Sequence, residues 1–165
     1  MEEIRVYELK KYNNEMQNDV ISFFEAVLPE SGRKLDLNGK HKAFQDIQKN
    51  YEKFWCMYDG SRLIGTVAIN GMDEKNCELK ALYLYSKHQG QGLGYKMISE
   101  AVRCARETGY QKMYLDTLST SKRAIHLYES IGFEVTDRYN ENQTADVFMV
   151  KNLLLEEGND KKAYS

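Results

Sequence analysis

Leu82-Tyr83-Leu84-Tyr85-Ser86-Lys87-His88-Gln89-Gly90-Gln91-Gly92-Leu93-Gly94 runs from an apolar, strand-like segment through alternating glycines into an amphipathic helix. Glycines at 90, 92 and 94 remove the side chains that would keep a ligand away from the backbone. The N–H groups opening the following helix, with about half a positive charge of helix dipole, suit an anion such as a pyrophosphate. The same residues also make an ordinary strand-to-helix turn. The surrounding chain decides between the two readings.

Downstream, Leu93, Met97, Ile98, Ala101, Val102 and Ala105 form one helix face, and Gly109 stands where a helix terminates at C′. Lys112–Leu118 is then a compact strand. A helix of about sixteen residues separates it from the strand before the glycines. The two strands therefore form a parallel βαβ crossover rather than a hairpin. Ser119 or Thr120 is expected to cap a last helix with Ala124, Leu127, Tyr128 and Ile131 inward, ended by Gly132. Phe133–Tyr139 and Val147–Val150 read as an antiparallel pair.

Upstream, Phe54–Tyr58 and Leu63–Asn70 are strands joined through Asp59-Gly60-Ser61, a hairpin signal, and Cys77–Tyr85 is the strand entering the glycine loop. Before them come a strand over Ile4–Leu9, with Ile4 and Val6 on one face, and a helix capped by Asn13 or Asn14. That helix runs to about Leu28 and ends at Pro29, the only proline. A polar loop over Glu30–Gly39 and a weaker helix over Lys40–Tyr51 complete the set. The expected fold is α/β: a single domain, 1–155, with a mixed sheet flanked by helices and a charged, frayed tail over 156–165.

Composition bounds the function. The chain has 165 residues, 42% apolar and 29% charged, which suits a folded globular domain. Net charge is −2, so no nucleic-acid partner is expected. No apolar run approaches a membrane span, and the acidic amino terminus predicts no secretory signal, so a cytoplasmic location is expected. Cys56, Cys77 and Cys104 read as small core residues, and the scattered His41, His88 and His126 predict no metal site. His88 and His126 are expected at the surface.

Two motifs in this order resemble the GNAT superfamily of acyl-coenzyme A-dependent N-acyltransferases. Gln89-Gly90-Gln91-Gly92-Leu93-Gly94 fits its Q/R-x-x-G-x-G/A signature. Ala124-Ile125-His126-Leu127-Tyr128-Glu129-Ser130-Ile131-Gly132-Phe133 fits its A-x-x-L-Y-x-x-x-G-F pattern. The likeness extends over roughly Phe54–Leu153, with residues 1–53 matching only in outline. It implies a GNAT-like fold and acetyl-coenzyme A as cofactor, held by Leu82, Tyr83 and Leu84 along the pantetheine arm and by Gln89–Gly94 around the pyrophosphate. It also implies contacts from Ser121, Ala124 and Tyr128 in the last helix. Ser121 stands where the family carries Asn, and Tyr128 where it carries the general acid.

Glu78, six residues before Leu84 on one strand, lies roughly 20 Å from it at about 3.3 Å per residue, the reach of a pantetheine arm. It is the candidate base, the alternative being a solvated or salt-bridged strand glutamate. For Tyr128 the alternative is a core aromatic, and Asp116 reads as structural or substrate-side. The resemblance implies direct acetyl transfer to a primary amine of a small molecule, amino acid or peptide. The rival reading is a non-catalytic acyl-coenzyme A-binding regulatory module. A different nucleotide site is disfavoured, since no Lys-Ser/Thr pair follows the glycines. A homodimer is compatible with the sequence but specified by no feature of it.

Overall fold

The computed structural model describes residues 5–154. Ile4 and the expected tail from Glu156 lie outside them. Seven strands are hydrogen-bonded in the order β1-β2-β3-β4-β5-β7-β6, giving the mixed α/β sheet expected. They are β1 (Tyr7–Lys11), β2 (Lys53–Asp59), β3 (Arg62–Gly71), β4 (Asn76–Leu84), β5 (Lys112–Thr117), β6 (Glu134–Thr136) and β7 (Val147–Asn152). The helices are α1 (Gln17–Val27), α2 (Ile47–Asn50), α3 (Leu93–Thr108) and α4 (Lys122–Ile131). Contacts divide the chain into two compact units, 1–70 with 80–101, and 71–79 with 102–165.

In the first unit, β1, β2 and β3 form an antiparallel meander. The first strand begins later than expected, and Val6 is 65% exposed, because pairing to β2 starts at Tyr7↔Asp59. Asn13 caps the entry to the α1 region as foreseen, its side chain accepting the Glu15 N–H at 2.9 Å. Val20, Phe23, Phe24 and Val27 form the buried stripe of α1. Phe24 stacks on Phe44 at 3.8 Å between centroids, and burying each such ring stabilises the unit by about 1.5–3 kcal/mol.

The helix expected over Lys40–Tyr51 is broken in two. A 3-10 turn, Lys42–Gln45, is separated from α2 by Asp46 at φ −145°, ψ 87°. The Asp46 side chain accepts the Lys49 N–H, so a capping aspartate wins over helix continuation. Leu93, Met97, Ile98 and Ala101 of α3 are buried, as the periodicity predicted.

In the second unit, β4 pairs parallel with β5 over Asn76↔Lys112, Cys77↔Met113 and Glu78↔Tyr114, which bears out the crossover. On its other edge β5 pairs antiparallel with β7 from Lys112↔Asn152 to Thr117↔Val147, and β7 carries β6. Gly109 ends α3 in the left-handed region, its N–H and that of Tyr110 both reaching the Ala105 carbonyl. The strand expected over Phe133–Tyr139 is only β6, because Arg138 turns its guanidinium onto the carbonyls of Asn140, Asn142 and Ala145 and closes a loop.

Neither Ser119 nor Thr120 caps α4. Its N-cap is Ser121, which makes no side-chain cap bond. Ser119 is instead taken by Asp146, whose carboxylate accepts both its N–H and its hydroxyl at 2.7 Å. Of the expected inner face of α4, Tyr128 is buried, and Ala124, Leu127 and Ile131 are half-buried.

Candidate active site

The glycine loop lies wholly within the first unit. Tyr85 is pinned by its N–H to the Ile64 carbonyl, and the chain then makes one 3-10 turn, Ser86–His88. Ser86 N–H donates to Glu30 Oε1 at 2.9 Å, and Gln89 Nε2 to the Leu84 carbonyl at 3.3 Å. Gly90 and Gly92 both take left-handed φ, +83° and +82°, and a Cβ on either would meet no atom within 4 Å. The loop is thus shaped by glycine conformation and opens onto free space.

The first bond of α3 runs from Lys96 N–H to the Gly92 carbonyl, so the N–H groups ahead of it belong to the open end of a sixteen-residue helix. This donor set fits a pyrophosphate. Tyr7 donates from its hydroxyl to Gln91 Oε1 at 3.1 Å, tying the loop to β1. His88 corrects the sequence expectation. It is 2% exposed, with Nε2 3.5 Å from Asp59 Oδ2 and 3.4 Å from Arg5 Nη1, so it underpins the loop.

Leu82, Tyr83 and Leu84 are half-buried at the end of β4. Ala81, just before them, has φ +52°, the only non-glycine positive φ among the described residues. Its carbonyl accepts the Thr66 hydroxyl at 2.7 Å. Backbone strain of this kind gathers where a chain positions ligand groups. Gly65 sits where a Cβ would lie 3.0 Å from the Tyr83 carbonyl, so β3 approaches β4 here more closely than a side chain allows.

The candidate base lies in the second unit, half-buried on β4. Glu78 Oε2 accepts the Tyr139 hydroxyl at 2.5 Å and Asn140 Nδ2 at 3.3 Å. The same Nδ2 lies 2.6 Å from Asp116 Oδ2. Asp116, read from sequence as structural or substrate-side, is therefore tied to Glu78 through one amide. Burial first, then the hydrogen bond and charge of Glu78 and the charges of Asp116 and Tyr114, push the Tyr139 phenol above its ordinary range.

Tyr139 and Asn140 went unnoticed in the sequence, because the loop around them is polar and carries no family motif. The only available signal was an aromatic at 139 ahead of the Asn140-Glu141-Asn142 turn.

Tyr128 is buried on α4 with its ring edge-on to Phe133 at 5.9 Å. Ser121 and Ala124, on the first turn of α4 and its cap, are half-buried. Burial pushes the Cys56 thiol up to about 12, so that residue packs rather than reacts. His126 is exposed, as expected. Among the described residues no cluster of His, Cys, Asp or Glu could hold a metal ion, and no helix is long and apolar enough to cross a membrane.

The profile of the acetyltransferase (GNAT) family matches residues 14–133. An uncharacterised N-acetyltransferase of Schizosaccharomyces pombe is 34% identical over 89 residues, covering 53% of this chain and 55% of its own. A probable N-acetyltransferase family 8 member of Mus musculus is 31% identical over 105 residues, covering 58% and 46%. The chain thus spans about half the length of these relatives.

Among solved structures, a GNAT-family acetyltransferase of Staphylococcus aureus superposes with a TM-score of 0.80 at 19% identity, over 90% of this chain and 99% of that one. One from Elizabethkingia anophelis, with acetyl-CoA bound, gives 0.67 at 16% identity over 88% and 97%. These likenesses establish the fold.

Proposed function

The chain belongs to the acetyltransferase (GNAT) family, and from that premise we propose that it transfers an acetyl group from acetyl-coenzyme A directly to a primary amine of a small molecule, amino acid or peptide. The observation that carries this reading is the Gly90–Gly92 loop opening α3, whose backbone donors suit a pyrophosphate. Leu82, Tyr83 and Leu84 would line the pantetheine arm, and Ser121 and Ala124 would meet the cofactor from α4. When bound, acetyl-coenzyme A supplies the activated thioester.

The remaining chemistry belongs to the chain. A primary amine with a pKa near 10.4 is only about one part in 2,500 neutral at pH 7, which costs the reaction roughly 4.6 kcal/mol. Glu78 is assigned to take that proton, directly or through one water. Tyr128 is assigned to protonate the departing thiolate. A phenol with an ordinary pKa near 10 still carries its proton at neutral pH and can donate it to a thiolate whose parent thiol has a pKa near 8.5. Asp116 adds a second negative charge beside Glu78, which favours cationic acceptors. No disulfide joins Cys56, Cys77 and Cys104, and we place the protein in the reducing cytoplasm.

Thermal shift with acetyl-coenzyme A, ATP and NAD in parallel tests the ligand. A rise with acetyl-coenzyme A alone is expected, and a larger rise with ATP or NAD overturns it. Free-thiol release is then measured with spermidine, tyramine, lysine and a lysine-bearing peptide. Tight cofactor binding without release for any amine points instead to a non-catalytic acyl-coenzyme A-binding module.

A further inference from the structure

Two residues of the β6–β7 loop converge on one oxygen of Glu78, and the loop that carries them is itself fixed. Arg138 donates to the Asn142 carbonyl at 2.9 Å and the Ala145 carbonyl at 3.1 Å, with its guanidinium 4.5 Å from the centre of the Phe148 ring. Tyr139 packs edge-on to Phe148 at 5.6 Å and tilted on Tyr114 at 5.0 Å. Its hydroxyl then has little freedom in where it points. It points at Glu78 Oε2, and Asn140 Nδ2 reaches the same atom while holding Asp116.

A glutamate has three rotatable side-chain bonds, and a base that must meet an incoming ammonium loses rate when it wanders. The Tyr139 hydroxyl and the Asn140 amide both fix Glu78 Oε2, and the same amide holds Asp116.

We infer that Tyr139 and Asn140 are positioning residues, holding the Glu78 carboxylate in one orientation. Tyr139 is suited to this and unsuited to be an acid. Burial and its acidic neighbours keep its phenol protonated, so it donates across the working pH range. The inference rests on the assignment of Glu78 as the base, and its test separates the two.

The test measures kcat and the KM for each substrate for wild type, E78Q, Y139F, N140A and E78Q/Y139F. The acceptor is whichever amine of the panel releases thiol fastest. Y139F and N140A are expected to lower kcat about tenfold and leave the KM for acetyl-coenzyme A within about twofold.

Y139F should cost nothing further in the E78Q background, whereas a merely structural role would cost the same in both. Urea melts of the same four proteins in the Glu78–Tyr139 cycle give a readout free of turnover, expected to show at least about a fivefold coupling in the folding constant. Additive melts, or an equal cost of Y139F in both backgrounds, overturn the inference. Wild-type kcat in E78Q removes the base assignment itself. A hundredfold loss in E78Q with under twofold in Y139F and N140A removes only the positioning role.

Discussion

The Thr66 hydroxyl donates to the Ala81 carbonyl at 2.7 Å, and Ala81 is the one described non-glycine residue at positive φ. Thr66 is fully buried, and this bond crosses from β3 to the distorted, half-buried point of β4. A left-handed alanine costs about 1–2 kcal/mol, and something must hold it there. Thr66→Val keeps the shape and loses the bond. We expect it to lower unfolding free energy by about 1–2 kcal/mol in urea titration at unchanged slope, and to weaken acetyl-coenzyme A binding severalfold. Equal stability would mean the distortion is held by other contacts.

A Cβ placed on Gly90 or Gly92 would meet no atom within 4 Å, yet both residues sit at left-handed φ. Alanine there meets no clash, but it resists φ near +80° by about 1–2 kcal/mol. Gly92→Ala should reduce acetyl-coenzyme A affinity about tenfold by calorimetry, because the loop relaxes away from the geometry that aims its N–H groups. Undiminished affinity would remove the loop from the cofactor site.

Tyr128→Phe keeps the ring and its edge contact with Phe133 while removing the hydroxyl. Turnover should drop at least about thirtyfold with the Kd for acetyl-coenzyme A nearly unchanged. Unchanged turnover would return Tyr128 to the core.

Gly109 and Gly132 end two helices with almost the same φ, +106° and +108°, but in different surroundings. A Cβ at 109 meets nothing within 4 Å, whereas one at 132 would lie 2.8 Å from Lys151 Nζ. That ammonium, 2% exposed, donates to the Ile131 carbonyl at 2.9 Å. Both alanine variants pay the same conformational strain. Gly132→Ala should lose about 1 kcal/mol more in chemical denaturation, because Lys151 must release the end of α4. Equal losses would show the lysine yields freely.

His41 gives the pH dependence a sign. Its Nδ1 accepts the Asp36 N–H at 3.0 Å, and its ring stacks on Phe44. Burial first, then Lys40, opposed by Asp36 and aided by Arg33, lowers its proton affinity below the ordinary 6.5. Below that pH the unfolded chain binds the proton more readily than the folded one. Stability is therefore full above about pH 6.5 and falls as pH drops through the unfolded value toward the lowered folded one. The fall in Tm from pH 7.5 to 5.5 should be smaller in His41→Gln than in wild type. An identical fall would assign the acid sensitivity elsewhere.

Local patterns exposed the parts whose causes are local. The stripe from Leu93 to Ala105 predicted α3 and its buried face, because helix period and burial are the same geometric fact. Gly60, Gly109 and Gly132 marked ends and turns, since left-handed backbone is chemically selective. The Lys40–Tyr51 segment failed for an equally local reason, as Asp46 caps a new turn instead of continuing the old one. His88 was misplaced because a histidine among polar residues looks exposed until Asp59, at the end of β2, and Arg5, just ahead of β1, close around it.

By itself the sequence determined the order of strands and helices, the parallel crossover, the glycine loop and the family. Each rests on periodicity, on chain length between elements, or on residues only glycine can replace. The surroundings of the candidate base were decided by tertiary structure alone. Glu78, Asp116, Tyr139 and Asn140 are separated by up to 62 positions, and their hydrogen bonds exist only once β4, β5 and the β6–β7 loop have folded together. A hydrogen bond acts over about 3 Å and leaves no period or spacing in the chain by which it could be read.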